Sequence, residues 1–182
     1  MELHRQRLDN LAFALALAAL LAVSLGFVST RNGAAVVMCG ICMAGLVAGR
    51  LVGISGGVIL GVALGLVAIL WVVWVDPLST PRRTNAFAHA AGGALAGWGI
   101  ATTLLRRRLP AWAPAAIAGV LALTVAWELA ELAGDRILDT ALIPSWRDSA
   151  YDIFFGCCGG VAGIVAARVL CGPVRGRGGR MG

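Results

Sequence analysis

The chain contains no lysine: all fifteen basic side chains are arginine. It is poor in charge of either sign, with charged residues making up 13% of its 182 positions. That scarcity excludes a soluble domain with a solvated shell, because hydrophobic residues account for 59% of the sequence and mean hydropathy is +0.87. The formal net charge of +6 does not indicate nucleic acid as a partner, because the arginines sit at the ends of apolar runs, where they act as topology signals. Using arginine alone as the base, in a chain dominated by Ala, Gly, Val and Leu, fits a compositional bias of high-GC bacterial genomes. The five cysteines (Cys39, Cys42, Cys157, Cys158 and Cys171) all lie inside apolar runs. This excludes the loop-cysteine framework of a disulfide-stapled secreted fold.

What is present is hydrocarbon-soluble helix. At about 20 residues per span, the apolar runs divide into six expected helices, near 11–28, 33–49, 58–75, 85–105, 111–133 and 151–171, forming one all-α polytopic membrane domain. The first run is long enough to span and lacks a small-x-small cleavage site after it, so it reads as an uncleaved helix and not a signal peptide. Asn32-Gly33 opens the second helix. Gly53-Ile54-Ser55-Gly56-Gly57 turns the chain into the third, and Asp76-Pro77 ends that one, since proline cannot continue the hydrogen-bond ladder. Residues 134–150 read as the one sizeable loop, with Ile137, Leu138, Leu142, Ile143 and Trp146 suited to the membrane interface. Residues 172–182 read as a disordered basic tail.

With six spans, Arg5, Arg7, Arg50, Arg106, Arg107, Arg108, Arg168, Arg175, Arg177 and Arg180 share one side. Arg31, Arg82, Arg83, Arg136 and Arg147 share the other. The positive-inside rule places the first set, and both termini, in the cytoplasm. The expected setting is a bacterial plasma membrane crossed several times, with the lipid bilayer as the surrounding partner. Small-xxx-small pairs (Gly45/Gly49, Gly61/Gly65, Gly93/Gly97, Gly156/Gly160, Gly159/Gly163) suit close helix approach in lipid.

Acidic residues are the scarcest charge and the most concentrated. Six of nine (Glu128, Glu131, Asp135, Asp139, Asp148 and Asp152) fall between positions 128 and 152. Glu128, Glu131 and Asp135 follow an i, i+3, i+7 pattern on one helix face, and Asp148 and Asp152 follow an i, i+4 pattern. On the six-span arrangement His89 lies at the same depth in the outer leaflet. Carboxylates that converge in this way share protons, pair with Arg136 or Arg147, or bind a cation. The candidate polar site is therefore His89, Glu128, Glu131, Asp135, Asp148 and Asp152, with Glu128, Glu131, His89 and Asp152 as candidate ligands of a divalent metal. Cys39-Gly40-Ile41-Cys42 is a CxxC inside an Ala/Gly-rich helix, where cysteine is commonly a small apolar filler.

The second half, about residues 85–170, resembles the YjdF-like inner-membrane proteins, which broadly resemble the VanZ-like family. The pattern is His89, then Trp127-Glu128-x-x-Glu131-x-x-x-Asp135, then Asp148-x-x-x-Asp152-x-x-x-Gly156-x-x-x-Gly160. The VanZ-like pattern carries an asparagine in the last helix near the place where this chain has Phe155-Gly156. The resemblance implies a cell-envelope role and no specific reaction. The leading expectation is an outward-facing site acting on a lipid-linked or cationic substrate, with protons or a divalent metal as the coupled ion. Two other readings stand beside it: a non-catalytic membrane scaffold or accessory subunit whose acidic cluster is structural, and a thiol-redox protein using Cys39 and Cys42.

Overall fold

In the computed structural model the described residues are 2–74, 81–138 and 145–171. They form six helices: α1 (Glu2–Ser29), α2 (Gly33–Leu51), α3 (Gly56–Trp74), α4 (Pro81–Arg106), α5 (Trp112–Leu138) and α6 (Trp146–Cys171). Asn32 caps α2 by accepting a hydrogen bond from the Ala35 amide at 3.1 Å, which satisfies one of the free donors of the first turn. Pro81 begins α4, where a missing N–H removes no helical bond.

Four helices, α1, α3, α5 and α6, are long and apolar enough to cross a membrane. The apolar part of α2 is shorter. At 26 residues α4 has the length, but its sequence carries Thr84, Asn85 and His89 near one end and Thr102 and Thr103 near the other. Large apolar side chains point away from the protein on several helices; Leu25 is 60% exposed and Val165 56%. Such an exterior is stable against hydrocarbon and costly against water.

The acidic region is more helical than its sequence suggests. The expected loop at 134–150 is shorter, because α5 continues through Leu138 and α6 begins at Trp146. Asp135 and Asp148 are thus helical residues, and the early start of α6 puts Asp148 one turn before Asp152. Asp76, Asp139, Leu142, Ile143 and the 172–182 tail lie outside the described residues.

The helices pack as two groups of three, joined chiefly by α3 against α4. In the first group, Leu20 of α1, Cys39 of α2 and Ile59 of α3 are fully buried in one apolar cluster. Trp127 of α5 packs against that cluster from the second group. At the opposite end, Asp9 of α1 holds the α2–α3 turn. Its Oδ2 accepts from Arg50 Nη1 and its Oδ1 from the Gly56 amide, both at 2.6 Å. Arg107, just beyond α4, donates to the Val52 and Gly53 carbonyls at 2.7 and 3.2 Å, so the same turn ties the two groups together.

Within the second group α4 and α6 form the closest pair. A Cβ on Gly93 would overlap the Gly156 carbonyl, and one on Gly97 would overlap the Gly160 carbonyl. Cβ atoms on Gly159 and Gly163 would likewise strike the Ala90 and Ala94 carbonyls. Residue numbers rise together along both contacts, so α4 and α6 run parallel. From α5, Thr124 fills the space beside Gly156 and Val120 the space beside Gly160.

Candidate metal and proton centre

The glycine ladder positions the polar site. Positions 89, 93 and 97 of α4, and 152, 156 and 160 of α6, are successive four-residue steps on one helix face. Positions 128, 124 and 120 of the antiparallel α5 descend beside them. Two layers of this ladder are small: Gly93, Gly156 and Thr124, then Gly97, Gly160 and Val120. The next layer toward the acidic end is His89, Asp152 and Glu128. Backbones held close by glycine bring these three polar side chains within reach of one another.

His89 Nδ1 lies 3.6 Å from Glu128 Oε1, and His89 Nε2 lies 3.6 Å from Asp152 Oδ2. The imidazole thus stands between two carboxylates, one facing each nitrogen. The His89 and Glu128 side chains are each 7% exposed and that of Asp152 10%. Asp152 is firmly oriented, because Asn85 Nδ2 donates to both of its carboxylate oxygens at 2.9 Å. Glu128 is not: among the described residues neither of its buried oxygens has a hydrogen-bond partner. The Ser149 hydroxyl approaches it from α6 without reaching hydrogen-bonding geometry.

One potential ligand atom each from His89, Glu128 and Asp152 falls within 4.8 Å of the other two. Three groups on three helices can therefore hold protons between them or surround a small cation. Among the described residues no salt bridge joins Glu128, Glu131 or Asp152 to an arginine.

No known protein family, characterised protein or solved structure matches the chain.

Of the six residues expected at the site, the structure brings three together. Glu131 is buried but accepts a hydrogen bond from Trp127 Nε1 at 2.7 Å, one turn along its own helix. Asp135 and Asp148 are half-buried and lie further toward the acidic end. Arg147 stacks over Trp146 at 5.6 Å. Asn85, readable from sequence as a helix-packing polar group, is the residue that orients Asp152. The available signal was its spacing, four residues before His89 and so on the same helix face. Cys39 and Cys42 are buried free thiols in the core of the other helix group, away from this centre.

Proposed function

We propose that the chain is a six-span protein of a bacterial plasma membrane whose last three helices hold an ion-coupled polar site opening to the outer face. On this reading both termini are cytoplasmic, and the site handles a cationic or lipid-linked substrate of the cell envelope with protons or a divalent metal as the coupled ion. The observation that carries it is Glu128. A carboxylate at membrane depth costs about 2.5–3.5 kcal/mol or more, and a purely structural one would be braced by donors. Among the described residues both Glu128 oxygens lack a hydrogen-bond partner while one faces the His89 ring. Such a group is retained for what it takes up.

The resemblance of residues 85–170 to YjdF-like proteins, which rests on His89, Trp127, Glu128, Glu131, Asp135, Asp148, Asp152, Gly156 and Gly160, agrees with an envelope setting. Support for a lipid-linked substrate comes from an open apolar groove of about 570 Å³ between α3, α4 and α6. It is lined by residues including Gly65, Ile69, Val72, Phe87, Leu95 and Ala166, and would accommodate an acyl chain beside the helices that carry the site.

The test is accessibility in intact cells. In a chain with the native cysteines replaced, Ser145→Cys should react with a membrane-impermeant maleimide added outside. Arg107→Cys should react only after the cells are opened. The opposite pattern would place the acidic end in the cytoplasm and remove the envelope-facing reading.

A further inference from the structure

We infer that His89, Glu128 and Asp152 bind a single divalent first-row transition-metal ion. The inference deepens the reading above and rests on it, by naming which ion the site takes.

Three observations support a metal over protons alone. The first is spacing. Hydrogen bonds to nitrogen or oxygen close to about 2.7–3.2 Å, whereas both imidazole–carboxylate gaps are 3.6 Å. The two gaps lie on different ring nitrogens, so one at most falls within a single ion's shell. What brings all three residues within reach of one ion is that a ligand atom from each lies within 4.8 Å of the other two. Binding at about 2.0–2.2 Å around a tetrahedral ion would draw them to roughly 3.4 Å apart. The second is charge. Two carboxylates and a neutral imidazole carry two negative charges, which one divalent ion cancels, whereas protons would have to occupy two of the three groups at once to do the same. The third is donor capacity. Among the described residues neither buried Glu128 oxygen has a hydrogen-bond partner, which leaves both able to ligate.

The donor set also selects the ion. One imidazole nitrogen with two carboxylates suits zinc, manganese, iron or cobalt better than magnesium or calcium, which prefer all-oxygen shells. An ion uses one ring nitrogen, and the other is left to carry the imidazole N–H, whose outer partner helps orient a metal-bound histidine. Each carboxylate has two oxygens, so one can ligate while the other accepts. Asn85 then serves as a positioning residue, fixing Asp152 through both oxygens. Three protein ligands leave a coordination position open, as metal sites that act on a further molecule do.

The experiment uses the full chain purified in detergent, stripped with a chelator and titrated with Co²⁺ by visible absorption and with Zn²⁺ by calorimetry. The expected result is one equivalent bound with the d–d absorption of a low-coordinate cobalt site. Asn85→Ala should weaken binding about 10–100-fold, and His89→Gln and Glu128→Gln by more than that. The Cys39→Ala/Cys42→Ala double variant should bind as the wild type does. If Glu128→Gln does not fold, His89→Gln and Asn85→Ala carry the comparison. Absence of saturable binding by the wild type would overturn the inference. So would wild-type affinity in both His89→Gln and Glu128→Gln, or loss of binding in the cysteine variant. If binding is absent but Ser145→Cys is labelled from outside, the outward-facing site survives with protons as its ion. If binding is present but the labelling pattern is reversed, the metal survives and the envelope reading fails.

Discussion

His89 and Asp152 stand at the same level of two parallel helices, each four residues before a glycine whose backbone meets that of the other helix. The Nε2–Oδ2 approach of 3.6 Å is therefore set by the contacts of Gly93 with Gly156 and of Gly97 with Gly160 beneath it. In lipid, where apolar burial between helices gains little over contact with acyl chains, close packing is a main source of association. The glycine contact thus sets both the stability of the pair and the geometry of the site.

It follows that Gly93→Ala should both destabilise the protein and open the site. The new methyl would strike the Gly156 carbonyl, and overpacking of this kind costs about 1–3 kcal/mol. The adjacent Gly92 faces open space. There alanine should be neutral or gain up to about 1 kcal/mol, since it removes helix-interior glycine. Melting curves of the two variants in detergent check this directly. Equal effects at 92 and 93 would contradict the backbone contact.

A second prediction concerns the other end of the bundle. Asp9 joins α1 to the start of α3 through the Gly56 amide and to the end of α2 through Arg50. Hydrogen bonds to charged groups contribute about 1.5–3 kcal/mol, so Asp9→Ala should lower stability by roughly that amount. A double-mutant cycle with Arg50→Ala should return a coupling energy distinguishable from zero, as expected for groups in contact.

The six helices were legible in the sequence because hydropathy reports helix existence directly, and Asn32 and the glycine turn mark boundaries among them; four of the six are long and apolar enough to cross a membrane. The region of the polar cluster was legible too, since a rare charge stands out against an apolar background. What sequence could not supply was rotation and height within the acidic face. Glu131 lies three residues from Glu128, about 60° around a helix of 3.6 residues per turn, and that rotation directs it to Trp127. Asp135 keeps nearly the direction of Glu128 but lies about 10 Å further along the axis at 1.5 Å per residue. The network at Asp9 was invisible for another reason: Asp9 and Gly56 are 47 positions apart, with no local pattern linking them.

Glu131 should then behave as a structural residue. Its carboxylate accepts from the Trp127 indole, and Trp127 packs against the apolar cluster of the first three helices. Glutamine keeps an acceptor oxygen for that bond, so Glu131→Gln should change stability by less than about 1 kcal/mol. Glu131→Leu leaves the indole N–H unsatisfied and should cost about 1–3 kcal/mol. Thermal unfolding monitored by tryptophan fluorescence separates the two. If glutamine and leucine were equally disruptive, the negative charge itself would be required.

Glu128 should show the contrary signature, because among the described residues its oxygens accept no hydrogen bond. In the metal-free protein, Glu128→Gln exchanges a buried carboxylate for a neutral group of the same shape, so the melting temperature should hold or rise. Excess Zn²⁺ at about 100 times its dissociation constant should stabilise the wild type by about 2.7 kcal/mol and leave Glu128→Gln unmoved. The variant should also fail to replace the native protein in a host that depends on it. A structural brace gives the reverse order: the metal-free protein would lose stability when the charge is removed, and Zn²⁺ would shift neither chain. Melting curves of both proteins with and without Zn²⁺ distinguish these outcomes, because they differ in sign in the metal-free pair and in magnitude in the zinc-bound pair.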